Sequence, residues 1–368
     1  MTIFTPHQDS ALKSVASWLK AKPGRNGTPR IFRLFGYAGT GKTTLAKHVA
    51  EGVDGKVLFA SFTGKAAQVM RNKGCTGAST IHSLIYRARE SGEQVPQFDL
   101  WDDAPASKAE LIVIDECSMV DAELGRDLMS FNVPLLVLGD PAQLPPVNGA
   151  GFFTDFVPDA MLTEVHRQAE DNPIIRLSME VRSGRTLSKQ SYGATEVLAR
   201  EDLDPSRVME ADQVLVGRNH TRRAYNARLR LRRGIEGSLP AAGEKLVCLR
   251  NNKRKGLLNG ALFEVATRGR GSPIVKLTLR PEESAAAKPF KVSVRPECFT
   301  AKIEDVAWEQ RKRYDEFDYG YVLTVPKAQG SEWDDVVLFD ESAAFAESRQ
   351  RWLYTGITRA AKRLTIVM

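Results

Sequence analysis

Two α/β domains, each a parallel sheet with crossover helices, and a small β-barrel inserted in the second form the fold class that the sequence predicts. Three observations carry that reading. In the first third of the chain, strand-length apolar runs (Ile31–Phe35, Val57–Phe62, Leu111–Ile114, Leu135–Leu138) alternate with amphipathic helical patterns, the rhythm of βαβ units. The same rhythm returns at Gln213–Gly217, Val336–Phe339 and Leu364–Val367. Between these blocks, roughly Leu239–Thr300, it gives way to short β-type pieces punctuated by Gly and Pro: "EKLVCLRN", "ALFEVATRG", "PIVKLTLR" and "KPFKVSVR".

The 368 residues, 42% of them hydrophobic, suffice for at least two cores of ordinary domain size. The expected limits are 1–165 for the first domain, 166–238 plus 301–368 for the second, and 239–300 for the barrel. A polar segment, Ala88–Glu110, is broken by Pro96 and Pro105 and is either a loop or a short hairpin inserted in the first domain. No apolar run approaches the roughly 18 residues that cross a bilayer, and "MTIFTPHQDS" has no basic start followed by a long apolar stretch. A cytoplasmic protein with no membrane partner is expected. The four cysteines are far apart and form no CxxC pair, which argues against a zinc knuckle or a disulfide framework. A net charge of +7 favours a polyanionic partner without identifying one.

The strongest local signal is "GYAGTGKTT", Gly36 to Thr44, between the strand "IFRLF" and the helical "LAKHVAEG". Backbone N–H groups of such a turn close around phosphates, and the helix N-terminus adds its positive end. Gly39, Thr40, Gly41, Lys42, Thr43 and Thr44 are the expected cradle, with Lys42 on the β- and γ-phosphates and the Thr43 hydroxyl on Mg2+. About 70 residues on, the strand "LIVI" ends in Asp115 and Glu116, at the end of a strand where an open α/β sheet holds its ligand. Asp115 suits the metal and Glu116 suits activation of an attacking water, which points to hydrolysis. After "PLLVLGD", Gln143 stands where an amide can sense the γ-phosphate.

Together, "TPHQ", "GYAGTGKTT", "SFTGKAA", "TIHSL", "DECSM", "GDPAQLPPV", "EVHRQ", "KAQGSEWDDVVL" and "YTGITRAAKRL" resemble, in order and spacing, the superfamily 1B helicases of the RecD and Dda type. The resemblance runs from Thr5 to Leu364. It implies two RecA-like P-loop motor domains, an SH3-like barrel and an ATP-dependent DNA helicase. It also implies that Gln8 reads the adenine of ATP, that Arg167 and Arg359 approach the γ-phosphate from the second domain, and that Glu332 touches the nucleotide sugar. Thr63, Lys65, Thr80 and His82 in the first domain, and Thr324, Lys327, Gln329 and Gly330 in the second, match positions that hold the DNA backbone. For His82, a buried histidine at a helix start is the alternative.

Relatives usually carry a histidine where this chain has Pro326, and proline supplies neither an imidazole nor a backbone donor. Arg250, Lys253, Arg254 and Lys255 form a basic turn that either lines the DNA path or is a solvated hairpin. Asn219 and Arg222 lie near a family motif, but most of the seven arginines in Arg218–Gly234 are expected to face solvent. Phe98 and Trp101 are candidates for a wedge at a duplex fork, or else pack the insertion onto the first domain. The implied partners are single-stranded DNA and duplex forks, with 5′-to-3′ polarity; replication or repair proteins as partners stay unidentified. Two rivals remain at this level: a P-loop ATPase of another class, and a binding module whose ATP site only sets DNA affinity.

Overall fold

The computed structural model describes residues 4–25, 27–88, 98–145, 151–164, 172–252, 255, 257–269, 273–282, 288–300 and 303–368. Arg167, Lys253, Arg254 and residues 89–97 of the first insertion lie outside them, as does the side chain of Phe98.

In chain order the first eight strands are β1 (Ile31–Gly36), β2 (Val57–Ser61), β3 (Ser79–Thr80), β4 (Tyr86–Ala88), β5 (Phe98–Leu100), β6 (Leu111–Asp115), β7 (Leu135–Gly139) and β8 (Ala160–Leu162). Six of them make one parallel sheet in the order β3-β2-β6-β7-β1-β8. Both faces are covered, so β6 and β7 read as unbroken apolar runs rather than alternating ones. Val113, Leu136 and Leu138 pack with Val15, Trp18 and Leu45 of the helices Pro6–Lys20 and Lys42–Glu51. Ile112, Ile114, Leu135 and Val137 pack on the other side with Ile81, Leu84, Leu124 and Leu128. Of the two readings of the first insertion the hairpin is the one observed: β4 and β5 pair antiparallel as a separate two-stranded sheet. The Tyr86 hydroxyl ties it down by donating to Asp127 Oδ2.

The next strands are β9 (Gln190–Tyr192), β10 (Thr195–Leu198), β11 (Gln213–Val216), β12 (Lys245–Cys248), β13 (Leu262–Arg268), β14 (Val275–Pro281), β15 (Phe290–Val294) and β16 (Phe317–Tyr319). Strands β12 to β16 form an antiparallel sheet in the order β15-β14-β13-β12-β16. Its two edges meet at a bridge between Val294 and Asp315, where Asp315 N–H donates to Ser293 O at 2.9 Å. Leu246, Val265, Leu277, Leu279, Val294 and Phe317 fill the inside. This sheet runs on to Tyr319, past the expected limit at 300, because β16 pairs with β12 (Leu246 opposite Tyr319), a partnership that no local pattern reveals.

Gly320 then carries the chain from β16 into the last group, β17 (Val322–Thr324), β18 (Trp333–Phe339) and β19 (Ala360–Val367). A Cβ there would stand 2.8 Å from Leu262 Cδ2 and 3.0 Å from the Leu246 carbonyl carbon, so a side chain at the crossing would have to displace the leucine and press on the β12 backbone. The second six-stranded sheet has the order β17-β11-β18-β19-β10-β9 and is parallel except for the β9–β10 pair. The helices Pro173–Arg182 and Arg349–Ile357 pack on it through Leu177, Val181, Trp352 and Ile357. On its outer edge, Asn226 of the helix Asn219–Arg232 bonds both the N–H and the C=O of Val322, satisfying an open strand edge. Among the described residues no helix is long and apolar enough to cross a membrane.

Candidate active site

The strand order puts β7 between β1 and β6, so the phosphate-loop turn after Gly36, the carboxylates after Ile114 and the Gly139–Asp140 corner all leave the same sheet edge. Open α/β sheets bind ligands at that edge. Facing it across a cavity of about 320 Å³ are Gly330, Ser331, Glu332, Thr358 and Arg359 of the second sheet's connections. Lys42, Thr43, Thr44, Asp115, Glu116 and Gln143 line the near wall.

Gly39 and Gly41 hold φ 77° and 82°, which only glycine adopts without strain, and Gly41 opens the helix Lys42–Glu51. The Thr40 hydroxyl turns back onto Tyr37 O at 2.8 Å, which leaves it no proton to offer the cavity. The Lys42 ammonium donates to Gly36 O at 2.7 Å and Tyr37 O at 2.9 Å. The Thr43 hydroxyl donates to Asp115 Oδ2 at 2.8 Å. A hydroxyl and a carboxylate touching beside a phosphate cradle suit Mg2+, a hard cation that takes a few protein oxygens and completes its shell from phosphates and water. Among the described residues no group of three or more His, Cys, Asp or Glu side chains gathers to hold a metal by itself.

Glu116 sits at φ 54°, ψ 44°, a left-handed conformation that costs a non-glycine residue of order 1–3 kcal/mol and clusters at functional sites. The protein packed around it pushes its carboxyl above the usual range, Arg359 opposes that shift, and Asp115 adds to it. Arg359 is itself buried; its guanidinium donates to Thr355 O (3.1 Å), Ser331 O (3.0 Å) and Thr358 Oγ1 (3.1 Å). Gln143 is buried against the cavity, and its Oε1 has no hydrogen-bond partner among the described residues. Glu332 stands exposed at the rim.

Gln8 does not line the cavity. It is buried behind the loop, where its Oε1 accepts from Thr5 N–H (3.0 Å), Thr5 Oγ1 accepts from Gln8 N–H (3.2 Å), and its Nε2 donates to Thr40 O (3.0 Å). "TPHQ" is thus a capping box with Pro6 in the first turn, a T-x-x-Q signal that was readable beforehand.

The expected DNA-holding residues are less open than expected. Thr63 and Thr80 cap the helices Gly64–Asn72 and Ile81–Ile85, and His82 is half-buried between Phe62 and Tyr86, with ring centroids 6.0 and 5.6 Å away. Thr63 does meet Gly330: a Cβ on Gly330, at φ 74°, would stand 3.3 Å from Thr63 Oγ1. Lys65 is buried, which pushes its ammonium pKa down to about 8. Gln329 is corrected more firmly. It is buried and its amide donates to Leu144 O at 3.1 Å, a bond across the cleft rather than a contact facing outward. Thr324 ends β17 half-buried, and Lys327 donates to Asn259 Oδ1 at 2.7 Å. Pro326 opens the 3-10 turn Pro326–Ala328, a position where a missing N–H costs nothing.

In the basic turn, Arg250 pairs with Glu316 at 3.0 Å and Lys255 with Asp315 at 2.5 Å, so both brace the antiparallel sheet instead of presenting free charge. In the arginine-rich helix, Arg222 pairs with Asp318 at 2.7 Å and Arg230 with Glu244 at 2.7 Å, while Arg218, Arg223, Arg228, Arg232 and Arg233 are exposed. Trp101 is half-buried and its backbone N–H donates to Ile85 O at 2.9 Å. Sequence reasoning missed Tyr354 and Thr355, which bond Asp140 and Leu144 N–H across the cleft at 2.7 and 3.0 Å; both lie in the same "YTGITRAAKRL" stretch as Arg359.

Residues 26–202 match the family model described as AAA domain, and residues 319–367 match that of the UvrD-like helicase C-terminal domain. The chain is 28% identical over 365 residues to the ATP-dependent RecD2 DNA helicase of Deinococcus radiodurans, covering 91% of this chain and 46% of that protein. It is 32% identical over 166 residues to the ATP-dependent DNA helicase dda of Enterobacteria phage T4, covering 41% and 37%. The chain therefore spans less than half the length of these relatives. Among solved structures, Pif1 helicase from Bacteroides bound to ssDNA aligns with TM-score 0.59 at 17% identity over 100% of this chain and 92% of that one. Pif1 helicase from Candida albicans aligns with TM-score 0.58 at 18% identity over 100% and 94%. These alignments show a shared fold of RecA-like helicase type. With family models matching at the phosphate-loop end and at the arginine end, and with RecD2 and Dda helicases among its relatives, the chain is similar from end to end to superfamily 1B helicases of the RecD and Dda type.

Proposed function

We propose that this chain is an ATP-dependent DNA helicase motor that moves 5′-to-3′ along single-stranded DNA and opens duplex forks. The observation that carries the reading is Arg359. A guanidinium from the second sheet reaches the cavity that holds Lys42, Thr43, Asp115 and Glu116 on the first, so hydrolysis requires the two halves to be together, which couples turnover to their relative movement. Lys42 and the backbone N–H groups of Gly39 to Thr44 bind the phosphates of ATP. Thr43 and Asp115 would hold Mg2+, which when bound neutralises charge on the phosphates. Glu116 accepts the proton of the attacking water, the unpaired Gln143 Oε1 orients that water, and Arg359 stabilises charge that develops on the γ-phosphate.

A first domain of 1–165 and a second that spans 166–238 and resumes after the antiparallel sheet's last strand at Tyr319 belong to this reading, as do Arg167 as a second arginine, Glu332 at the nucleoside end, and an SH3-like character for the antiparallel sheet. DNA then crosses both halves by way of Thr63, Lys65, Thr80, His82, Thr324, Lys327 and Gly330, with contacts directed at phosphates and therefore indifferent to sequence. With Lys65 and Gly330 buried, this reading requires the path to open as the halves part. Relatives named as DNA helicases, and a Pif1 structure described with ssDNA, support DNA as the track.

Two assays test the proposal. ATP turnover with and without single-stranded DNA separates a motor from a P-loop enzyme of another class, which DNA would not stimulate. Strand displacement on 5′-tailed, 3′-tailed and blunt duplexes, with ATP and Mg2+, tests unwinding and polarity. Opening confined to the 5′-tailed substrate is expected; preferential opening of the 3′-tailed one overturns the polarity, and no opening of any leaves only an ATP-regulated binder.

A further inference from the structure

Residues 37 and 38, in the first turn of the phosphate loop, are both gripped from across the cleft. Ala38 N–H donates to the Tyr354 hydroxyl oxygen at 2.9 Å, and that hydroxyl donates to Asp140 Oδ2 at 2.7 Å. Asp140 Oδ1 accepts from Ala142 N–H at 3.0 Å. Tyr354 and Asp140 are 1% and 3% exposed, so water does not substitute for either partner. Burial, with the neighbouring Asp140 charge, pushes the phenol pKa upward, which keeps the hydroxyl a donor. One residue earlier, the Arg182 guanidinium lies 3.4 Å from the centroid of the Tyr37 ring. Its NH1 is buried with no hydrogen-bond partner among the described residues, so the ring face is what it meets. Gln350 donates to Val181 O and Arg182 O at 2.8 and 2.6 Å, joining the end of the helix Pro173–Arg182 to the helix that carries Tyr354.

That second helix, Arg349–Ile357, is capped by Thr358, and Arg359 comes next. A rigid shift of the helix therefore moves Tyr354 and Arg359 together, one bonded to the loop's backbone and the other set in the cavity wall. The Ala38 N–H belongs to a loop whose N–H groups serve phosphates, and it can be given to a phosphate oxygen or to Tyr354, but not fully to both. Packed, fully bonded contacts of this kind have discrete arrangements rather than a continuum of them.

We propose that Tyr354 is a positioning residue through which movement of the second sheet reaches the phosphate loop, with Arg182 on Tyr37 as its companion contact. This rests on the motor reading above. Tyr354 touches no reacting atom; it sets where the loop and Arg359 stand relative to each other, and so it links the DNA-bound state of the cleft to turnover.

The quantity to measure is the ratio of ATP turnover with saturating single-stranded DNA to turnover without it, together with ATP consumed per strand displaced. Tyr354→Phe removes the hydroxyl and keeps the ring. Losing one charge-assisted bond between two discrete states lowers the ratio by about tenfold and raises ATP consumption per strand by a similar factor. Asp140→Asn, which leaves either the phenol O–H or the Ala142 N–H without an acceptor, shifts the ratio in the same direction and serves if Tyr354→Phe does not fold. A purely structural tyrosine would scale both rates alike, so a wild-type ratio in a folded Tyr354→Phe or Asp140→Asn protein overturns the proposal while leaving the motor intact. A wild-type protein whose turnover ignores single-stranded DNA overturns the motor reading, and this inference with it.

Discussion

Replacing Glu116 by glutamine separates chemistry from fold, and the structure gives the direction of each effect. The surrounding protein raises the Glu116 pKa above its ordinary 4.5, with Asp115 and Asp140 adding to the rise and Arg359 and Lys42 opposing it. A raised folded pKa means that the native state disfavours the ionised form. The stability this group contributes is fully present below 4.5 and is lost as pH rises through the folded value. Glutamine has nearly the same shape and no charge to desolvate, and it inherits the same left-handed backbone. The variant is therefore at least as stable as the wild type at neutral pH, and the difference closes in acid. Turnover moves the other way. Loss of a general base costs about 10²–10⁴ in rate, or about 2.7–5.4 kcal/mol of barrier. Urea unfolding at neutral pH and below 4.5 reads the first effect, and steady-state ATP hydrolysis with saturating single-stranded DNA reads the second. The wild-type rate should also fall as pH drops through the raised value. Turnover of Glu116→Gln within about threefold of wild type would remove Glu116 from the chemistry, being far short of the general-base range. A variant clearly less stable at neutral pH would mean that the carboxylate holds structure instead.

Lys42→Ala should abolish ATP hydrolysis and leave DNA binding and the unfolding midpoint near wild type, since its bonds are to the loop carbonyls of Gly36 and Tyr37; wild-type hydrolysis by the purified variant refutes the phosphate-loop assignment. Arg359→Ala should keep nucleotide affinity, measured with a fluorescent analogue, and lose on the order of 10³–10⁵ in turnover. Because alanine also strips the bonds to Thr355 O and Ser331 O, Arg359→Lys is the control that keeps charge without the three-donor fork; weakened binding with normal maximal rate contradicts the role. Single-stranded DNA affinity should fall as pH rises through about 8, where Lys65 loses its proton, and should fall less in Lys65→Arg, whose guanidinium stays charged. Equal pH profiles for the two proteins would take Lys65 out of the DNA path.

What the chain determined by sequence alone is what short range and composition can encode. A buried parallel strand must be apolar along its whole length, so β1, β2, β6 and β7 announce themselves, and a strand, glycine turn and helix within one short stretch carry the phosphate loop complete. The ordered motifs likewise carry the resemblance to a helicase family, because their chemistry is local to each. Other features depended on partners far along the chain. Strand β16 is three residues long and earns its place only by pairing with β12. Arg250 and Lys255 looked like a basic turn until Glu316 and Asp315 came back beside them. Gln329 matched a DNA-holding position, yet its amide is spent on Leu144 O, 185 residues away, and Tyr354 meets Asp140 across 214. A side chain's type states which bonds it can make, whereas burial and the chain's return path decide which partner reaches it first. The tertiary structure alone therefore separated the residues that face the cavity from those that hold the two halves together.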